Sequence, residues 1–363
     1  MKHRFEVLDI FRGIFASMVV LFHLSAFANT AVLNNNFVEN SDLFVDFFFV
    51  LSGFVITYTA QGMSQPADMK LFYKKRLFRL YPLHFIMLMV FVFMELVKKQ
   101  FVGHIQVNQL NNANNNIITF FSNIFLLNSV KLPGVTDVSW NIPSWSISAE
   151  MLSYILFGLV VYSIHRLKIY PRRVYLFAAV AFAAFLLLHT LPNPAVDHAP
   201  PYSFNFGFLR AFFGFFSGAV CFNVFSATRG KNINKPASLF STLEVLIIAT
   251  MVVLVYNGHQ LKPYDFIYEL LFFCSIYVFA FEKGIVSSLF KKSGFLKRVG
   301  TYSYSIYMTH ALLLSLFNIV FYRVLKMPTT SYAYMFILNY AIIYFVSKWS
   351  YKNIELRFQW KKK

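Results

Sequence analysis

Two ionisable side chains interrupt the first apolar segment of the chain, "FRGIFASMVVLFHL" at residues 11–24: Arg12 near its start and His23 near its end. Eleven residues of α-helix rise about 16 Å and return to within about 20° of the same face. Because a charge inside a bilayer costs roughly 2.5–3.5 kcal/mol, such residues usually face a polar interior, and a histidine there suits proton transfer. The alternative is that Arg12 extends to the inner interface and His23 bonds a neighbouring carbonyl.

Two carboxylates also fall within apolar segments. Asp46 lies near the outer end of "DLFVDFFFVLSGFVITYT", and Glu150 lies about two turns into a helix that Pro143 starts in "SWNIPSWSISAEMLSYILFG". Each is expected to have a partner, and Glu150 comes to a depth similar to that of His23. In the same two segments, Ser52-Gly53 forms a small polar notch for close approach, and Trp145 suits the outer interface.

Arg76 and Arg79 in "YKKRLFRLYPLHF" are three residues apart, on one helical face, before Pro82 in the first turn of the next span. Paired guanidinium groups on one face can bind phosphates with two hydrogen bonds each. The same residues could instead be a positive-inside anchor. Late in the chain, "GTYSYSIYMTHALLL" places Tyr307 and His310 on one face, where a hydrogen-bonded core histidine is the competing interpretation.

The composition indicates the kind of protein that must position these residues. Of 363 residues, 58% are hydrophobic and only 13% are charged, well outside the usual range for a soluble domain. Both cysteines, Cys221 and Cys274, lie in apolar segments and indicate neither a disulfide framework nor a metal site. The chain is therefore expected to be an all-α polytopic membrane protein.

About 20 apolar residues are needed for one helical crossing of a bilayer core. The sequence predicts ten crossings, at 7–28, 43–61, 82–98, 144–164, 173–190, 205–225, 240–257, 264–282, 302–322 and 332–350. An eleventh stretch, 117–127, is too short to cross and is predicted to be re-entrant or interfacial. We expect residues 1–352 to form one membrane domain and residues 353–363 to form a basic cytoplasmic tail.

The distribution of basic residues predicts the orientation, because lysine and arginine accumulate on the cytoplasmic side. Most of the 33 basic residues fall on one side of the ten-span arrangement, which places both termini inside. The outer segments hold only Lys98, Lys99, Lys131, Lys262, Arg323 and Lys326. Since the basic residues are spread over several short loops, the net charge of +18 does not indicate nucleic-acid binding. Asp9 and Arg12 argue against a cleaved signal peptide ending at Ala26-Phe27-Ala28.

Together these elements resemble the acyltransferase-3 family of integral membrane acyltransferases, which modify bacterial glycans and small molecules. The resemblance rests on Arg12 and His23 with ten residues between them, and on "VDFFFVLSGF" (45–54), "RLFRLYP" (76–82), "SWSISAE" (144–150) and "GTYSYSIYMTH" (300–310), in family order. It implies about ten membrane helices in a bacterial cytoplasmic membrane. It also implies acyl-CoA, commonly acetyl-CoA, as the donor, and a glycan or lipid-linked saccharide as the acceptor. No metal is implied, and the oligomeric state stays open.

The resemblance and the chemistry of acyl transfer together suggest roles for these residues. Transfer from a thioester to a hydroxyl needs a base, and we expect His23 to supply it, oriented by Glu150 or by Asp46. Arg76 and Arg79 are expected to bind the phosphates of CoA, with Arg12 on the same head group or on the pantetheine arm. The remaining expected site residues are Ser52 beside the thioester, and Trp145, Tyr307 and His310 on the acceptor side.

Direct transfer and a covalent acyl-His23 or acyl-Ser52 intermediate both stay open at this point. So do other classes of protein. Ten helices with interior charges also suit a transporter or flippase for a glycolipid or polysaccharide precursor, although no internal inverted repeat is present. A sensor or scaffold would not need so many interior ionisable residues. The other large superfamily of membrane O-acyltransferases also uses a histidine, but the spacing of Arg12 and His23 favours acyltransferase-3.

Overall fold

The computed structural model describes residues 4–27, 30–100, 114–191 and 202–360. Some residues used in the sequence predictions lie outside these ranges: Lys2, Ala28, the greater part of the Asn-rich tract before residue 117 and the last three lysines. Within the described ranges every regular element is helical and no strand occurs. The predicted all-α fold class is confirmed.

Up to residue 232, the described residues form two short and six longer helices. In order they are α1 (Glu6–Ser25), α2 (Asn36–Glu39), α3 (Phe44–Ala60), α4 (Pro66–Gln100), α5 (Ile117–Ile124), α6 (Trp145–Arg166), α7 (Arg173–Thr190) and α8 (Gly207–Asn232). The second half continues with α9 (Ala237–Tyr256), α10 (Gly258–Leu261), α11 (Asp265–Phe279), α12 (Ile285–Lys292), α13 (Gly294–Thr301), α14 (Ser303–Phe317), α15 (Thr329–Tyr334), α16 (Phe336–Ser350) and α17 (Leu356–Phe358).

Eight helical segments of the described chain are long and apolar enough to cross a membrane. They are Glu6–Ser25, Asn36–Ala60, Pro66–Lys98, Ile142–Arg166, Tyr170–Thr190, Gly207–Asn232, Ala237–Tyr256 and Ser303–Val324. At the other two predicted spans, α11 and α16 have 15 residues each. Such a helix is about 22 Å long, against a bilayer core of about 30 Å. A multi-pass membrane protein is therefore confirmed, while the count of ten and the cytoplasmic termini stay predictions.

The segment 117–127 forms only one short helix. α5 has eight residues and begins with a capping box, in which the side chains of Asn116 and Thr119 each accept a hydrogen bond from the other's backbone N–H at 3.1 and 3.0 Å. The Asn123 carbonyl in α5 lies 2.8 Å from Nε2 of His84 in α4, which ties the short helix to the bundle. Its length, about 12 Å, does not span a bilayer. Whether it is re-entrant or interfacial stays a prediction.

The third predicted span begins much earlier than the sequence pattern indicated. α4 starts at Pro66 and runs for 35 residues, so Pro82 lies in its interior. The prediction of Pro82 in the first turn was wrong, because the polar stretch before it is helical as well. A proline inside a helix cannot donate to the carbonyl four residues earlier. Close by, the Tyr304 hydroxyl of α14 donates to the carbonyl oxygen of Leu80 at 2.6 Å.

The tightest helix contact joins α3 and α8. A Cβ built on Gly53 would overlap the carbonyl oxygen of Phe215, and one built on Gly218 would overlap that of Val50. Small residues at helix crossings allow such backbone contact in membrane proteins. The predicted close approach at Ser52-Gly53 is confirmed for Gly53. The neighbouring Ser52 side chain is therefore held at a fixed height beside α6.

The described end of the chain packs against the bundle. α16 continues through a π-helical turn, Tyr351–Glu355, so the predicted boundary between residues 352 and 353 falls inside helical structure. Glu355 is buried and accepts a hydrogen bond from the Ser305 hydroxyl of α14. The ammonium of Lys74 in α4 lies 3.5 Å from the centroid of the Trp360 ring. The separation of 353–363 as a tail stays a prediction.

The glycine contact between α3 and α8 generates a stability prediction. Gly53→Ala should lower the free energy of unfolding by about 1–3 kcal/mol, because the added methyl group must push two backbones apart. Gly230→Ala is the matched control: it lies near the end of α8, its Cβ would meet nothing within 4 Å, and it should leave stability equal or raised. Thermal unfolding in detergent measures both. Equal midpoints for the two variants would contradict the contact.

Candidate functional site

A cavity of about 100 Å³ lies among α1, α3, α4, α6 and α14. Six of the ten predicted site residues line it, and the other four, His23, Asp46, Trp145 and His310, do not. The polar side chains of the lining are Asp9, Arg12, Ser52, Arg76, Arg79, Ser146, Glu150, Tyr154, Ser303, Tyr304 and Tyr307. Helices distant in sequence thus bring the predicted arginines and one predicted carboxylate to a single space.

Three guanidinium groups make one side of the cavity positive. Arg12 of α1 lies 3.8 Å from the Asp9 carboxylate, which is also bound by Arg4 at 2.7 Å. Arg76 and Arg79 of α4 form no ion pair within the described residues, and the buried Nε of Arg76 has no hydrogen-bond partner there. Three guanidinium groups beside the single carboxylate of Glu150 and that of Asp9 leave an excess of positive charge, which favours an anion. The arrangement is therefore suited to phosphate or carboxylate groups of a ligand.

The carboxylate of Glu150 faces these arginines but bonds to hydroxyl groups. It accepts hydrogen bonds from Ser52 of α3 and from Tyr154, one turn further along α6. Tyr154 is buried, and its ring also lies 5.7 Å from the Arg76 guanidinium carbon. Glu150 is not hydrogen-bonded to His23 in this structure. Its measurable contacts place it as the acceptor that orients Ser52 and Tyr154 at the cavity wall.

Asp46 has a partner that the sequence predictions did not assign. Arg210 of α8 donates to both of its carboxylate oxygens, at 2.6 and 2.8 Å. Two parallel hydrogen bonds of this kind fix both side chains and satisfy the charge inside the bundle. Asp46, like Glu150, therefore bonds to side chains other than His23.

Trp145 lies beside this ion pair. It is only 4% exposed, and the Arg210 guanidinium carbon is 5.6 Å from its ring centroid. Its ring fills the space against Gly207 of α8, so protein covers it, and its position at the outer interface stays a prediction. Its contacts support the helix packing around Asp46 and Arg210.

His23 meets a second histidine at the other end of α1. Its ring centroid lies 5.1 Å from that of His310 in α14, and the His310 ring lies 5.8 Å from that of Tyr307. The hydroxyl of Tyr307, which lines the cavity, is 2.8 Å from Oγ of Ser146. The predicted neighbourhood of Tyr307 and His310 is confirmed. Contacts between rings thus connect the cavity with His23.

A second, more open cavity of about 420 Å³ adjoins the first at Arg76. It lies between the end of α3 and the start of α4, and Phe72, Lys75 and Asp68 are among its lining residues. Arg76 lines both cavities, so its guanidinium group stands where they meet. This is the side of the bundle that the charge distribution predicts to be cytoplasmic.

Four residues that sequence reasoning did not assign belong to the arrangement: Asp9, Ser146, Tyr154 and Arg210. Two of them carried a usable signal. Arg210 is an arginine within an apolar segment, and such a residue needs a carboxylate such as Asp46. Tyr154 follows Glu150 by four residues, the spacing of neighbours on one helical face. Ser146 and Asp9 carried no comparable signal, because serines and helix-terminal acids occur in many membrane helices for packing alone.

Among the described residues, no three His, Cys, Asp or Glu side chains group together as metal ligands would. The polar groups of the cavity are instead guanidinium, hydroxyl and carboxylate groups, and two imidazoles lie next to them beyond Tyr307. Such a set can bind an anion and move a proton, which are the two tasks of acyl transfer from a phosphate-bearing thioester.

Comparison with known proteins agrees with this chemistry. The acyltransferase-3 family model, described as an acyltransferase domain, matches residues 5–348. No curated protein and no solved structure matches the chain. The family match covers all five helices around the cavity and nearly the whole sequence. The chain therefore belongs to the acyltransferase-3 family and is a membrane acyltransferase.

Proposed function

We propose that the protein transfers an acyl group, acetyl in the simplest case, from cytoplasmic acyl-CoA to a hydroxyl of a glycan or lipid-linked saccharide. The proposed location is the bacterial cytoplasmic membrane. The observation that carries the proposal is the pair of guanidinium groups, Arg76 and Arg79, that form no ion pair within 4 Å in the described chain and line a cavity leading towards two imidazoles.

Donor binding follows from charge and position. CoA carries a diphosphate and a 3′-phosphate, and buried arginines bind such groups with charge-assisted hydrogen bonds. Arg76 stands at the junction of the two cavities, so phosphates held there leave the larger cavity for the nucleoside. Arg12, on α1, is placed to bind the same head group or the first polar atoms of the pantetheine arm.

The acyl end would travel along the inner cavity past Ser52 towards His23. Arg12 and His23 are separated by about 16 Å along α1, a distance suited to an extended arm rather than to a bare phosphate. Ser52, Tyr154 and Glu150 line the path and offer hydrogen bonds to the amide groups of the arm. In this assignment the Asp46–Arg210 pair and Trp145 hold the helices around the path.

The chemical step requires one base and one leaving group. His23 takes the proton of the acceptor hydroxyl as the oxygen attacks the thioester carbonyl, so a C–O bond forms and the C–S bond breaks. The thiolate of CoA then receives that proton from the His23 imidazolium, and the imidazole is neutral again. Direct transfer needs no covalent enzyme intermediate. Transfer through an acyl-His23 or acyl-Ser52 intermediate would reach the same products in two steps, acylation of the enzyme and then transfer to the acceptor hydroxyl.

Removal of the proposed base gives the first test of this function. His23→Ala should lower the rate of acyl transfer by about 10²–10⁴-fold, while expression and membrane insertion stay normal. Incorporation of label from acetyl-CoA into membrane material measures the rate. His259→Ala is the control, since His259 is an exposed histidine that does not line either cavity. An unchanged rate of acyl transfer by His23→Ala would show that His23 is not the base.

Removal of the donor-binding charges gives the second test. Arg76→Ala combined with Arg79→Ala should raise the KM for acyl-CoA about tenfold or more, because each lost charge-assisted bond is worth roughly 1.5–3 kcal/mol. Both arginines also attract the Glu150 carboxylate, so KM is measured on variant protein that is shown to be folded. Lys70→Ala, on the exposed face of α4, is the matched control. An unchanged KM would show that both arginines serve only as topology anchors. Transport of a substrate without thioester cleavage would instead favour a transporter.

A further inference from the structure

The side chain of His310 is held in one tautomer by its own helix. Nδ1 lies 3.2 Å from the carbonyl oxygen of Ile306, one turn earlier in α14. Because a carbonyl oxygen only accepts hydrogen bonds, the proton of the neutral ring must be on Nδ1. Nε2 therefore carries a lone pair.

That lone pair has no partner in the described part of the chain. His310 is fully buried, and its Nε2 is among the buried polar atoms without a hydrogen bond. An unsatisfied acceptor in such surroundings costs about 1–3 kcal/mol, and a group that functions elsewhere in a reaction cycle is one explanation for it. Among the described residues, a neighbouring group that could donate to it is the imidazole of His23, whose ring centroid is 5.1 Å away at a tilt of 36°.

His23 is able to turn towards this acceptor. The residue is half-buried, and no hydrogen bond from the described residues fixes either ring nitrogen. Rotation about the bond between Cβ and the ring is one of the broad, soft side-chain torsions. The centroid distance of 5.1 Å is within the reach of an N–H···N hydrogen bond between two imidazole rings once the His23 ring has turned.

The carboxylates that might have served His23 are occupied. Glu150 accepts from Ser52 and Tyr154, and Asp46 is bound on both oxygens by Arg210. A base histidine nevertheless needs an acceptor on one nitrogen, because that acceptor decides which nitrogen is left free to take a proton.

We propose that His310 is the positioning residue of His23: its Nε2 accepts a hydrogen bond from one nitrogen of His23 and directs the other, unprotonated nitrogen at the acceptor hydroxyl. This inference rests on the proposed function. When His23 takes the proton of the hydroxyl, the bond to His310 shortens and stabilises the imidazolium. When the CoA thiolate takes the proton back, both rings are neutral again.

Two amide substitutions at His310 separate this role from a structural one. In His310→Gln the amide reaches the position of Nε2 and keeps an acceptor for His23. In His310→Asn the amide reaches only the position of Nδ1, so the bond to Ile306 is kept and the acceptor is lost. We expect His310→Asn to lower kcat by about 10²-fold with an unchanged KM for acetyl-CoA, and His310→Gln to stay within about tenfold of the wild type.

The variants are compared as full-length protein in membrane vesicles of the native host, with acetyl-labelled acetyl-CoA as the probe and label in membrane material as the product. The control is His84→Gln, since His84 is equally buried, has one nitrogen at a backbone carbonyl and does not line the cavities. It should keep the wild-type rate. A wild-type rate in His310→Asn, or the same loss in His310→Gln, would overturn the inference.

A double variant covers the case in which His310→Asn is poorly folded. If His310 acts through His23, then adding His310→Asn to His23→Ala should cause no further loss of rate per folded molecule, because the two residues form one unit. Multiplied losses would show an independent role and contradict the inference. Absence of label with the wild-type protein, or full labelling with His23→Ala, would be a failure of the proposed function itself.

Discussion

A charge inside the bilayer must find its solvation within the protein, and this requirement governs the interior of the bundle. Asp46 meets Arg210 in a two-bond ion pair, and Glu150 is met by two hydroxyl groups. The guanidinium groups of Arg76 and Arg79 lack such a partner in the described residues. Their charge is available for a ligand, and on the proposed function that ligand is the anionic acyl donor.

The packing of α3 against α8 holds the paired side chains at bonding distance. The close contact of α3 and α8 at Gly53 and Gly218 sets the distance between the two helices that also supply Asp46 and Arg210. A wider separation would leave both charges unpaired, which is far more costly than the loss of packing alone. The ion pair and the glycine contact therefore stabilise one another, and the cavity beside them keeps its shape.

Features that depend on one helix could be predicted from the sequence. The apolar segments, the shared face of Arg12 and His23, the pairing of Arg76 with Arg79 and the close approach at Gly53 all follow from local spacing. The partners that come from other helices were not assigned from local spacing: Ser52 is 98 residues away from Glu150, and Arg210 is 164 residues away from Asp46. The interior position of Pro82 was missed because a polar, charged stretch before an apolar span gives no sign that it continues the same helix.

Arg76 and Arg79 also have a consequence for the occupancy of the donor site in a cell. A guanidinium group recognises phosphate, and the loaded carrier and the released one have the same phosphates. On the proposed assignment, free CoA would bind almost as firmly as acyl-CoA, and the acyl group itself would add little to affinity. The occupancy of the site would then follow the ratio of acylated to free carrier in the cytoplasm, so that modification of the envelope reports on the metabolic state of the cell.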